Sequence, residues 1–142
     1  DDFINICDKV GKVWQIITTT LPGWDDVESL KSKPNDVRES YIHAHGVGWQ
    51  GVANAVSAII SEKGPSAWQA IFENAVKQID WNKSNSHWQG VSMIGDRMNN
   101  TSQFIRSTAG YILSKADVVG GAAETYYNDY IAVAKHRNKD VA

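Results

Sequence analysis

Residues 41–51, YIHAHGVGWQG, place two histidines and three glycines around a tryptophan. Imidazoles can ligate a metal, carry a proton or simply pack, so the spacing has to decide. On an uninterrupted helix His43 lies about 200° from His45, given about 100° per residue, and the two rings cannot share an ion. Helical zinc pairs stand at i, i+4, as in HExxH, and this chain has none. No metal site is expected. His45 instead falls on an apolar line with Tyr41, Gly48, Val52 and Val56, which predicts a core or interface histidine whose ring nitrogen needs a hydrogen-bond partner. Ala44, Gly48, Gly51 and Ala55 form a stripe of small residues on one helical face. Such a stripe lets a second helix backbone approach closely, and that packing must offset up to about 1 kcal/mol of lost helix propensity per glycine. The glycines match neither GxGxxG nor GxxxxGK[ST], so no phosphate loop is present.

A second constellation lies at 80–100, DWNKSNSHWQGVSMIGDRMNN. Short polar side chains can bond neighbouring backbone and fold a loop without regular structure. The same stretch, together with the first residues of the next helix, also carries the residues of a phosphate-binding surface: Lys83, Arg97 and Arg106 as cationic partners, with Asn82, Asn85 and Asn99 as adaptable donors. Nucleophilic catalysis has no comparable support. There is no GxSxG elbow, the carboxylates are scattered, and the lone cysteine, Cys7, sits on an apolar helical stripe, as an inert buried thiol would. A pocket of His45, His87 and Asp80 would require those three groups to converge in space. The basic run Lys135–Lys139 suits a helix carboxyl end and its dipole.

The elements that must position these residues are helical. Phe3, Cys7, Val10, Val13/Trp14, Ile17 and Leu21 define an amphipathic first helix, ended by Pro22-Gly23. Asn35 is the expected cap of a long central helix over about 37–61. Gly64-Pro65-Ser66 restarts the chain, with Ser66 and Gln69 as a capping box or Pro65 at the first helical position, and a third helix buries Trp68, Phe72, Val76 and Ile79. A fourth spans 101 to about 115 and a fifth 122 to about 136, with 138–142 frayed. No alternating strand stands out. The expectation is a single all-α domain of about five helices, with a structured loop at 80–100.

At 142 residues, 42% of them hydrophobic, the chain suffices for one substantial core. Its six tryptophans are the compositional outlier; Trp49, Trp81 and Trp88 are expected, with His45, Gly48 and Gly51, to serve packing. A net charge of −2 excludes a global positive field, leaving only a local basic patch for any nucleic acid. No apolar run approaches membrane-spanning length and nothing resembles a signal peptide, so a cytoplasmic location without membrane contact is expected. The abrupt opening at Asp1-Asp2-Phe3 reads as a domain cut from a longer protein.

The order RESYIHAHGV (38–47), IDWNKSNSHWQG (79–90) and TSQFIRSTAGYIL (101–113) resembles the carboxyl-terminal part of DndB-type DNA sulfur modification proteins, the group defined by a DGQHR domain. The similarity covers about residues 13–115, and its sharpest pieces are HAHGV and IDWxxxNxxW. The resemblance implies a role beside bacterial DNA phosphorothioation, as a DNA-binding regulator of transcription of the modification genes. The DGQHR motif itself is missing, and no catalytic residue of the family maps onto these positions, so neither enzyme activity nor a cofactor is expected. DNA is the expected partner. The alternative is a non-catalytic interaction or oligomerisation module of the same system, holding the amino-terminal half or a second copy.

Overall fold

The apolar period at the amino end produces α1, Asp2–Thr20, in a computed structural model that describes residues 2–140, with side chains to 136. Only the carboxyl end of this helix enters the core: Ile16 and Ile17 are buried, as is Leu21 beyond it, and α1 packs there on α5, Trp68–Lys77. The amino-terminal turns carry the same stripe uncovered, and Cys7 is exposed rather than buried. Periodicity marks which face is apolar; it does not say whether anything covers it.

The long helix expected over 37–61 is broken. A short α2, Trp24–Glu28, and then α3, Pro34–Ser40, precede a 3-10 turn at Ile42–Ala44, and α4 begins only at Gly46 and ends at Lys63. The reason is tertiary. Tyr41 turns extended and bridges Asn82, and the Ile42 N–H donates to the Trp81 carbonyl at 2.9 Å. Pairing with residues 81–83 wins over weak local propensity in a glycine-rich stretch. Lys33, not Asn35, holds the cap position of α3; its N–H donates to the Asp36 carboxylate at 2.8 Å, with Pro34 opening the helix. Likewise α5 starts after Ala67, without the expected Ser66 cap.

The core is built on α4, which packs on α5 and on α6, Ser102–Ala116; α6 packs in turn on α7, Glu124–Asp140. Residues 138–140, expected to fray, continue α7; 141 and 142 lie outside the described residues. Val52, Val56 and Ile59 of α4 meet Phe72 and Val76 of α5 and Ile112 and Leu113 of α6 in one apolar cluster. The small-residue stripe resolves into two different contacts. At Gly48 a Cβ would collide with the Ile42 carbonyl, so this glycine lets the chain fold back on its own preceding turn. At Gly51 it would come within 2.6 Å of Thr108 Cγ2, which is the close helix contact expected of the stripe. A third close approach lies at Gly110, where a Cβ would strike the Tyr126 carbonyl of α7.

Residues 80–100 form an ordered loop, with a 3-10 turn at Ser86–Trp88 and a small hairpin, β1 Met93–Ile94 with β2 Arg97–Met98. Each strand has two residues, too few to show alternation in sequence. The buried hydroxyls of Ser107 and Thr108 both donate to the Val91 carbonyl, and Thr108 Oγ1 lies 2.6 Å from Ser92 Oγ, which fastens the loop to α6. The indole N–H groups of Trp81 and Trp88 donate to the carbonyls of Val76 and Asp80. From these two rings an unbroken line of aromatic contacts crosses the core. It runs from Trp14 through Trp24, His43, Trp81, Trp88 and Tyr111 to Tyr130, each ring centroid 5.1–5.9 Å from the next. Trp49 stacks on Trp14 at 5.4 Å.

Candidate functional site

The two histidines of the opening stretch have separate environments, and their expected roles are exchanged. His43, in the 3-10 turn, is the buried one. Its Nδ1 accepts the Trp24 indole N–H at 3.2 Å, so the neutral ring carries its proton on Nε2. That Nε2 is buried and hydrogen-bonded to nothing. Burial pushes the His43 pKa down to about 4; the Pro22 carbonyl, near but outside hydrogen-bonding geometry, opposes the shift, and the charge of His45 adds to it.

His45 occupies the cap position of α4 with extended backbone, and its Nε2–H donates to the Arg38 carbonyl at 2.6 Å. It is only half-buried. It therefore has the hydrogen bond expected of it, but at the surface rather than in the core. Its pKa is lowered by desolvation and further by the charges of Lys83 and Arg38. Lys83 is lowered too, by desolvation and by Arg38, against an opposing pull from Glu39. The mutual effects locate three cationic or potentially cationic groups, Arg38, His45 and Lys83, on one surface. Backbone pairing brings them there: the Lys83 N–H donates to the Ser40 carbonyl at 2.9 Å beside the Tyr41–Asn82 bridge. Because His45 is the cap residue of α4, the positive end of that helix dipole lies beside them, and the Asn100 side chain lies against Gly46.

The other nominated residues are distributed differently. Arg106 Nε donates to the Asp129 carboxylate at 2.6 Å and ties α6 to α7. Arg97 is exposed on β2, opposite Ile94. Asn82 Oδ1 accepts from the Ser84 N–H and hydroxyl, Asn85 caps the 3-10 turn through His87 and donates to the Asp80 carbonyl, and Asn99 Oδ1 accepts the Thr101 N–H. These three amides shape the loop. Trp81 and Trp88 are fully buried packing residues and Trp49 is half-buried beside Trp14. As for a pocket of His45, His87 and Asp80, His87 Nε2 bonds the Tyr130 hydroxyl at 2.9 Å and Asp80 Oδ1 accepts the Asn82 N–H, while His45 bonds Arg38. Among the described residues no group of three or more His, Cys, Asp or Glu side chains could hold a metal, and no helix is long and apolar enough to cross a membrane.

Of the residues grouped here, the sequence reading nominated Lys83 but not Arg38 or Asn100. No helical period records Arg38: the chain turns extended at Tyr41 between Arg38 and His45, and that break brings the Arg38 carbonyl to the His45 ring. The family model DndB, described as DNA-sulfur modification-associated, matches residues 5–118. No curated protein and no solved structure matches the chain.

Proposed function

This chain belongs to the DndB family of DNA-sulfur modification-associated proteins, and from that membership we propose that it is a non-catalytic, DNA-contacting domain of a regulator of the modification genes. The observation that carries this reading is the meeting of Arg38, His45 and Lys83 beside the amino end of α4. Cations gathered beside the positive end of a helix are the elements of a phosphate-backbone contact. With a net charge of −2, binding depends on this local patch, with Arg97 as an outlying contact. Arg106 supports the fold through Asp129 instead of meeting DNA. The alternative, an assembly module, draws on a different surface, the uncovered apolar face of α1.

Duplex DNA from upstream of the modification genes, titrated against the protein by fluorescence anisotropy at several salt concentrations, tests the reading. Each neutralised phosphate contributes about −0.9 to the slope of log affinity against log salt, so contacts by the charged groups Arg38, Lys83 and Arg97 predict a slope of about −3. Arg38→Glu with Lys83→Glu should weaken binding at least tenfold and flatten that slope, without lowering the melting temperature. Binding that ignores salt, or survives both charge reversals unchanged, overturns the proposal.

A further inference from the structure

Phe3, Cys7, Val10, Trp14, Ile17 and Leu21 step along the chain by four, three, four, three and four residues. That is a heptad seam, flanked by Ile4, Ile6 and Val13, and its alternating three-and-four spacing is the pattern of a helix that meets another helix. Within the molecule only the last two positions are covered. Phe3, Ile4, Ile6, Val10 and Trp14 remain 72, 64, 60, 62 and 48% exposed. Beside them, between α1 and α4, lies an apolar groove of about 460 Å³ walled by Val10, Val13 and Trp14 on one side and Trp49, Val52 and Val56 on the other.

We propose that this seam is the dimerisation surface of the protein, and that its occupant is α1 of a second copy, laid antiparallel across it. Three observations select that occupant. The first is area. If fully exposed side chains of this size present about 150–250 Å² each, the patch is on the order of 500 Å². Two such patches bury about 1,000 Å², the least that a specific interface needs. The second is charge. Asp2, Asp8, Lys9 and Lys12 all lie off the seam and sum to zero, and Asp8 already pairs with Lys12, so two copies meet without like-charge repulsion and with opposed helix dipoles. A lipid surface is disfavoured for the same reason, because the polar face lacks the cationic excess that holds amphipathic helices on membranes. The third is Gly11. It stands mid-helix in open space, where glycine lowers helix stability without any return inside the monomer. In an antiparallel pairing centred between Asp8 and Lys9, Phe3 of each copy faces Trp14 of the other at the mouth of the groove and Cys7 faces Val10, while Ile4 lies two residues out of level with Gly11 on the same flank, where the missing side chain leaves it room.

Sedimentation equilibrium of the whole chain, with Ile6→Glu and Val10→Lys as separate variants, tests the proposal. The wild type should be dimeric, and each charge should weaken self-association at least a hundredfold, the scale for a charge stranded in a desolvated interface centre. Both variants should melt as the wild-type monomer does, because the altered side chains are exposed. Under mild oxidation Val10→Cys should give a covalent dimer joining position 7 of one copy to position 10 of the other, identified by peptide mapping. A wild type that stays monomeric at its highest soluble concentration overturns the proposal, whether or not it binds anionic vesicles or a separately supplied amino-terminal segment. So does a dimer that survives both charges, which would place the interface elsewhere. Neither result depends on DNA binding at Arg38, His45 and Lys83.

Discussion

Replacing His43 with asparagine should abolish most of the acid sensitivity of this protein near neutral pH. The folded chain holds the imidazole at a pKa of about 4, against 6.5 for an unhindered histidine, chiefly because burial disfavours the charged ring. Below pH 6.5 the unfolded chain therefore takes up a proton that the folded chain refuses, and stability falls as pH falls until the folded state also titrates. At about 1.4 kcal/mol for each tenfold change in proton affinity, the full loss is about 3 kcal/mol, of which about 2 kcal/mol has gone by pH 5. That is a large share of the roughly 5–15 kcal/mol by which a domain is stable. Asparagine at 43 offers an acceptor to the Trp24 indole but cannot take up a proton. It forfeits the ring contacts with Tyr41 and Trp81, so its stability at neutral pH should be lower and its pH profile flatter. Urea unfolding followed by circular dichroism from pH 7.5 to pH 4.5 gives the two curves, which should converge on acidification. Curves that stay parallel would refute the reasoning, as would a His43 ring resonance titrating near 6.5 in the folded protein.

Two further outcomes are expected. Gly110→Ala puts a methyl group against the Tyr126 carbonyl and forces α6 from α7; thermal or urea unfolding should show a loss of about 2–3 kcal/mol, the scale of overpacking against rigid backbone. Leu30, 92% exposed, is held at φ 62°, a left-handed conformation unfavourable for its side chain; Leu30→Gly should raise stability by about 1 kcal/mol in the same assay.

The parts of the fold legible in the sequence are those where one period runs unopposed. Trp68, Phe72 and Val76 identified α5, because burial of those residues is what the period records. The break at Tyr41 was not legible, since its cause is a strand-like pairing with Asn82 forty-one residues away. Assigning His45 to an unbroken helix line consequently gave it the burial that belongs to His43. For the candidate site, the polar and basic composition of 80–100 pointed to Lys83, but its meeting with Arg38 and His45 is created by that same pairing. Cys7 shows the converse limit: a stripe looks identical whether the surface opposite it is the protein's own core or nothing in the monomer.

The line of rings from Trp14 to Tyr130 has an optical consequence. Indoles separated by little more than a ring's width exchange excitation before they emit, so at the Trp14 end of that line a photon absorbed at Trp24 or Trp49 need not be re-emitted there. Emission should drain toward the most solvent-relaxed ring, Trp14, on the half-open helix beside Trp49. The ultraviolet fluorescence of this cluster then becomes a report on one surface: a ligand or a second chain settling over α1 would shift the colour of three tryptophans through a single one.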